Sequence, residues 1–137
     1  MTQAAVAEGP AGVTGGLRGL LRLEGLALFA GAVALYAASE HSWLLFAALL
    51  LVPDISFAAY LGGPRVGAFC YNLVHTTVGP IALWVAGSIF TSPVSFAVAL
   101  IWLAHIGIDR ALGYGLKYDA GFGFTHLGRI GPAARDH

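Results

Sequence analysis

Five ionisable side chains interrupt long apolar stretches of this sequence: Glu24, Asp54, His75, His105 and Asp109. Two imidazoles together with carboxylates are typical ligands of divalent metals such as zinc, manganese or iron. A metal held by such a set lowers the pKa of a bound water and generates a nucleophile near neutral pH. A carboxylate that stays uncoordinated can then act as a general base. The residue types therefore suggest a divalent metal centre.

The spacing of these residues favours one shared site. His105 and Asp109 are four residues apart, and Asn72 and His75 are three apart, so each pair lies on one face of a helix. We predict that the metal ligands are Asp54, His75, His105 and Asp109, and that Asn72 accompanies them.

Glu24 and Asp54 are the candidate catalytic residues, each as a ligand or as the general base. The same polar set would also suit a purely structural hydrogen-bonded network. In that interpretation the acids are neutralised by nearby arginines: Arg22, Arg65 and Arg110. A proton or ion pathway is the third interpretation of the set.

The composition requires a lipid environment. Hydrophobic residues make up 58% of the 137 residues, charged residues 10%, and the mean hydropathy is +0.77. A soluble domain carries about 25% charged residues, and a chain this apolar could not cover its own surface in water. The formal net charge is zero, which excludes the basic excess of a nucleic-acid-binding protein.

Four apolar stretches predict an all-α integral membrane bundle of four transmembrane helices. They cover residues 20–39, 42–61, 66–90 and 93–114, and each is near the roughly 20 residues that cross a bilayer. Pro53 and Pro80 fall inside the second and third stretches and should kink them.

The chain then divides into three parts: a flexible tail (1–16), the transmembrane domain (17–114), and a cytoplasmic interfacial segment with a tail (115–137).

The positive charges predict the orientation. All seven lie before the first helix, between the second and third, or at and beyond the end of the fourth: Arg18, Arg22, Arg65, Arg110, Lys117, Arg129 and Arg135. Positive residues remain on the cytoplasmic side, so we expect a multi-pass protein of the cell inner membrane with both termini cytoplasmic. The polar residues then share a depth of about 6 to 14 Å from the cytoplasmic edge.

Four strings are distinctive when taken together. They are Leu21-Arg22-Leu23-Glu24, Val52-Pro53-Asp54-Ile55-Ser56, Tyr71-Asn72-Leu73-Val74-His75-Thr76 and Trp102-Leu103-Ala104-His105-Ile106-Gly107-Ile108-Asp109-Arg110. The set resembles a family of small bacterial membrane proteins known as domain of unknown function 4260. The resemblance covers about residues 18–131, implies an integral membrane protein, and brings no established activity.

Three short segments carry a second pattern. Pro53-Asp54 follows an apolar run, His75-Thr76 comes next, and His105 and Asp109 form an HxxxD pair. This order is similar to that of membrane-bound metal-dependent hydrolases, whose middle motif is His-Arg-Gly-x-Thr-His-Ser. The chain departs from that motif, because the first histidine falls on Cys70. A thiolate can replace an imidazole as a metal ligand.

Three classes of function stay open. A metal-dependent hydrolase would act at the membrane surface, on a lipid-linked or phosphoester substrate. A non-catalytic accessory subunit would assemble into a larger membrane complex. A small proton-coupled transporter would work as an oligomer of this chain, with Glu24 as the coupling carboxylate. The lipid bilayer is a partner in every case.

Overall fold

The computed structural model describes residues 9–134, which are mostly helical. Five α-helices follow in order: α1 (Gly15–Ala38), α2 (Trp43–Leu49), α3 (Pro64–His75), α4 (Val78–Ile89) and α5 (Pro93–Leu112). A 3-10 helix (Val52–Gly62) follows α2, and a short one (Gly131–Ala134) ends the described chain. Two short strands, β1 (Phe124–Thr125) and β2 (Gly128–Arg129), pair antiparallel. Of the predicted tails, residues 1–8 and 135–137 lie outside the described residues.

The predicted four-span bundle is confirmed. Four helical stretches are long and apolar enough to cross a membrane: Gly15–Ala38, Trp43–Gly62, Pro64–Ile89 and Pro93–Leu112. Large apolar side chains such as Leu44, Leu61 and Phe90 point outward from them. Such a surface is stable in acyl chains and not in water.

The second and third spans are broken rather than kinked. The α-helical part of the second span ends at Leu49 and continues as a 3-10 helix, and the third span stops at His75 before α4 begins at Val78. Pro53 and Pro80 are among the first three residues of the helical pieces that follow the breaks. The backbone N–H groups in the first turn of a helix have no acceptor within that helix, so a proline there costs no hydrogen bond. Each proline therefore lies in the first turn of a new helical piece.

The central helix is α5, whose middle is almost fully buried. It crosses α1 at two glycines. A Cβ on Gly25 would overlap the Cβ of Arg110, and one on Gly107 would lie 2.6 Å from the backbone nitrogen of Phe29. Glycines at such a crossing let two membrane helices approach until their backbones touch.

The residues after α5 fold back over one end of the bundle, and we call residues 113–134 the cap segment. The backbone N–H of Val13 donates to the carbonyl of His126 at 2.7 Å, and the Arg18 side chain donates to the carbonyl of Leu127. Arg22 donates to the carbonyl of Ala111 at 2.8 Å. The start of α1 and the end of α5 therefore lie at the same end of the bundle.

The α1–α5 crossing gives the first prediction. Gly25→Val should destabilise the protein by about 1–3 kcal/mol, because the side chain overlaps α5. Gly31→Val is the matched control on the same helix: a Cβ there would meet no neighbouring atom within 4 Å, so stability should be unchanged. Thermal unfolding in detergent measures both variants, and equal midpoints would contradict the close crossing.

Candidate metal centre

Four of the five predicted ionisable residues converge at the breaks in the second and third spans. Asp54, His75, His105 and Asp109 each offer one ligand atom, and these atoms all lie within 4.8 Å of one another. The Nε2 atoms of the two histidines are 3.1 Å apart. The His75 Nε2 atom lies 3.4 Å from Asp54 Oδ1 and 3.6 Å from Asp109 Oδ2, and the His105 Nε2 atom lies 3.2 and 3.1 Å from the same oxygens.

These distances fit the edges of a coordination polyhedron. Zinc binds histidine nitrogen and carboxylate oxygen at about 2.0–2.1 Å, so tetrahedral ligand atoms stand about 3.3 Å apart. Five of the pairwise distances fall between 3.1 and 3.6 Å. The side chains present therefore fit a divalent cation at their centre.

The ring of His75 is oriented by its own helix. Its Nδ1 lies 2.9 Å from the carbonyl of Tyr71, which cannot donate, so Nδ1 carries the proton and Nε2 keeps a lone pair toward the centre. The ring also stacks on Tyr71 at a centroid distance of 3.7 Å and an interplanar angle of 8°. A hydrogen bond from the second ring nitrogen is the usual way in which proteins orient a histidine ligand.

The ring of His105 is held mainly by burial. Its side chain is 2% exposed. Its Nδ1 is buried and has no hydrogen-bond partner among residues 9–134, whereas its Nε2 lies in the cluster.

Helix α5 also supports the broken end of α3. The indole N–H of Trp102 donates to the carbonyl of Val74 at 2.6 Å, and the Arg110 guanidinium donates to the carbonyl of His75 at 3.2 Å. A helix that ends inside a membrane leaves such carbonyls without partners, and each would be costly in hydrocarbon. The same helix therefore satisfies the break and supplies His105 and Asp109 to the cluster.

A cavity reaches the carboxylate side of the cluster. The side chains of Asp54 and Asp109 are 33% and 17% exposed, whereas both histidines are buried. Both aspartates line a cavity of about 750 Å³ together with aromatic side chains and the cap segment. This is the size range of small-molecule sites, so a ligand in the cavity would meet the carboxylates first.

The cap segment is fixed over this cavity by Asn72. The backbone N–H of Lys117 donates to Asn72 Oδ1 at 2.6 Å, and Asn72 Nδ2 donates to the carbonyl of Lys117 at 2.8 Å. The side-chain amide of Asn72 thus pairs with both backbone groups of Lys117, as a neighbouring β-strand would. Lys117 also forms an isolated antiparallel β-bridge with Thr125 of β1. Burial lowers the pKa of Lys117 to about 8, and the charge of Asp109 opposes part of that shift.

The remaining predicted polar residues lie outside the cluster. Glu24 is on the exposed side of α1 and lines a separate small cavity with Arg110 and His126. Arg65 is exposed at the start of α3. Among residues 9–134, the three arginines of the structural interpretation form no ion pair with an acid. The close contacts of the two cluster aspartates are with the Nε2 atoms of the two histidines instead.

Two supporting residues are not predicted by the sequence. Nothing in the residues around Val74 indicates that its carbonyl takes a donor from Trp102, a residue type that usually packs or anchors at the membrane interface. Lys117 falls in the predicted interfacial segment rather than in a cavity wall. The sequence gives one signal that Lys117 is buried: it is the only lysine in the sequence, and its neighbours Leu116 and Tyr118 are apolar and aromatic.

His126 joins two parts of the cap segment and lies beside Arg110 of α5. Its Nδ1 accepts from the backbone N–H of Leu116 at 2.8 Å, and its Nε2 lies 3.2 Å from a guanidinium nitrogen of Arg110. Burial and then the charge of Arg110 lower the pKa of His126 below its usual value, so the neutral form stabilises the cap segment. Protonation would break the bond to Leu116.

This contact predicts a pH dependence. A depressed pKa in the folded protein makes the contribution of His126 fully present above about pH 6.5, and it is lost as pH falls through the folded value. Hydrogen exchange at the Leu116 amide, corrected for its intrinsic rate, should therefore accelerate with acidity, by at most about tenfold per pH unit for one proton. His126→Gln should remove this part of the pH dependence, and an unchanged profile in the variant would assign it to another group.

The Asn72 contact gives a separate prediction. Asn72→Ala leaves the N–H and carbonyl of Lys117 without partners, which should cost about 1–3 kcal/mol. Limited proteolysis should cut the cap segment faster in this variant. Ser88→Ala removes only a hydroxyl bond to its own helix at Trp84 and is the control. Equal cleavage of both variants would show that Asn72 does not hold the segment.

Comparison with known families gives a match for most of the chain. The family model of a domain of unknown function, DUF4260, covers residues 18–130, from the first turn of α1 to just past β2. No curated protein and no solved structure matches the chain.

Proposed function

Because the chain belongs to the DUF4260 family, a domain without a defined function, we propose a function from the geometry of the site. The protein is a membrane-embedded divalent-metal protein that hydrolyses a substrate held in the cavity beside the cluster. Its ligands are drawn from Asp54, His75, His105 and Asp109.

The convergence of four ligand atoms within 4.8 Å carries this proposal. Two carboxylate oxygens and the lone pair of His75 all present negative charge density to one point. In a low-dielectric bundle such groups repel one another unless a positive centre lies between them. A divalent cation balances the two carboxylate charges.

The donor set of two nitrogens and two oxygens suits zinc, manganese or iron(II). When bound, the metal supplies a water of lowered pKa as the nucleophile. Asp54 is the more exposed of the two carboxylates and faces the cavity, so it is the group that can accept the proton of the attacking water. Asp54 would return this proton to the oxygen that departs when the ester bond breaks, so the same carboxylate would act first as base and then as acid.

The charge distribution supports a cytoplasmic position for this end of the bundle. Tyr60, near the turn that carries Arg65, packs on Phe122 of the cap segment at 5.5 Å. Arg18 and Arg22 contact the segment or the end of α5 nearby. With positive residues gathered at this end, the inner membrane orientation with cytoplasmic termini follows from the positive-inside rule. A substrate would then enter from the cytoplasmic leaflet or the cytoplasm.

The metal content of the purified protein tests the proposal. Wild-type protein supplied with zinc, manganese or iron(II) should retain about one ion per chain, and His105→Ala should lose it because Nε2 lies within 3.2 Å of both aspartates. His41→Ala is the control, since His41 lies in the turn between α1 and α2, away from the cluster, where its ring contacts Ser39. Ion content is measured by elemental mass spectrometry after gel filtration.

Thermal stability gives an independent measure of the same event. Metal at about 100 times its dissociation constant should stabilise wild type by about 2.7 kcal/mol, and should leave His105→Ala unchanged. A wild-type protein that holds no metal and gains no stability with any of the three ions would overturn the proposal. The cluster would then be a hydrogen-bonded structural network.

A further inference from the structure

The side chain of Lys117 is buried as a whole, but its ammonium nitrogen is not fully enclosed by the protein. The residue is 5% exposed, and within residues 9–134 its Nζ forms no hydrogen bond or ion pair. It lies over two aromatic rings instead, 3.8 Å from the centroid of Phe122 and 5.0 Å from that of Tyr71. The backbone clamp by Asn72 fixes the base of the side chain. The charge is therefore held at a defined position.

This position is on the wall of the cavity that also contains both carboxylates. Lys117, Asp54 and Asp109 all line it. Cation–π contacts compensate a charge in a low-dielectric site less than an ion pair does, so the two rings leave the charge of Lys117 only partly balanced. An anion in the cavity would supply the missing partner.

The charge balance of the site points the same way. Without a metal, the two aspartates outweigh the single lysine. A divalent cation neutralises both carboxylates, and the cavity then carries the unmatched positive charge of Lys117 beside the metal. Metal binding thus turns the cavity from a site that repels anions into one that attracts them.

We propose that Lys117 binds a phosphate group of the substrate, and that the substrate is a phosphate-bearing amphiphile. The inference rests on the proposed function, since it places the phosphate beside the metal. A phosphoester has oxygens enough to meet the ammonium group and the metal together, and lysine is a common point-charge partner of phosphate. The remaining cavity wall is largely aromatic and apolar, including Phe57, Phe124 and Ile130, and suits the lipid part of the molecule.

Lys117 is the only lysine in the sequence, which makes a direct experiment available. Full-length protein in detergent micelles is treated with an amine-acylating reagent at about pH 8, where a large share of the Lys117 amine is neutral and reactive. The extent of acylation is followed with time by peptide mass spectrometry. The α-amino group of the same chain serves as the internal control.

Three additives are compared: phosphatidic acid, diacylglycerol with the same acyl chains, and inorganic phosphate. Phosphatidic acid should slow acylation of Lys117 at least about fivefold, an apparent free-energy change near 1 kcal/mol, and diacylglycerol should not. The α-amino rate should be the same in all samples. Protection by inorganic phosphate as strong as that by phosphatidic acid would keep the phosphate site and identify a water-soluble substrate. Equal rates in all samples would overturn the inference and leave Lys117 as a clamp on the cap segment.

Metal content measured in the same samples separates the two proposals. Retained metal without protection of Lys117 defeats only the phosphate site. Protection in a protein that holds no metal keeps the phosphate site and defeats the metal centre, together with the charge balance argued from it. Lys117→Met keeps the apolar stem between Tyr71 and Phe122 and removes the charge. It should bind metal as wild type does and lose the thermal stabilisation by phosphatidic acid. The wild-type acylation result stands even if this variant does not fold.

Discussion

The arrangement of the site depends on two hydrogen bonds that α5 gives to the broken end of α3. Trp102 and Arg110 satisfy the carbonyls of Val74 and His75, which no helix continues. Such groups cannot be left bare in hydrocarbon, so the break is stable only where a neighbouring helix provides donors. Because His105 and Asp109 lie between those two donors on the same helix, the contact that permits the break also brings them to His75.

The rest of the molecule can be understood from this constraint. The crossing of α1 and α5 at Gly25 and Gly107 holds α5 at the centre of the bundle. The other break, in the second span, places Asp54 in the first turn of the 3-10 helix and brings its carboxylate to the two histidines. The cap segment then closes the open side, where the Asn72 amide binds Lys117 and the start of α1 binds His126 and Leu127. Irregular backbone in a membrane protein is thus concentrated where protein surrounds it, and this is also where its polar groups meet.

The shared level expected for the polar residues led to the right four partners: Asp54, His75, His105 and Asp109 do meet. The level itself, counted from the cytoplasmic edge, stays a prediction. Glu24 was predicted at the same level, but it is exposed and lines a separate cavity with Arg110 and His126. Nothing in a largely uniform apolar helix such as α1 fixes the face that it turns inward. The two prolines marked the breaks, but the loss of helix depends on donors from α5. The burial of Lys117 depends on an amide 45 residues away and has no local sequence signal strong enough to predict it.

The order of the elements along the chain has a consequence for biogenesis. Asp54 and His75 lie in the second and third spans, but their partners are in the last one, and the cap segment follows it. The ribosome therefore delivers a carboxylate and an imidazole to the bilayer before the helix that completes their surroundings has been made. Until α5 has been synthesised these polar groups lack their partners, so the cluster can be assembled only after the fourth span has joined the first three.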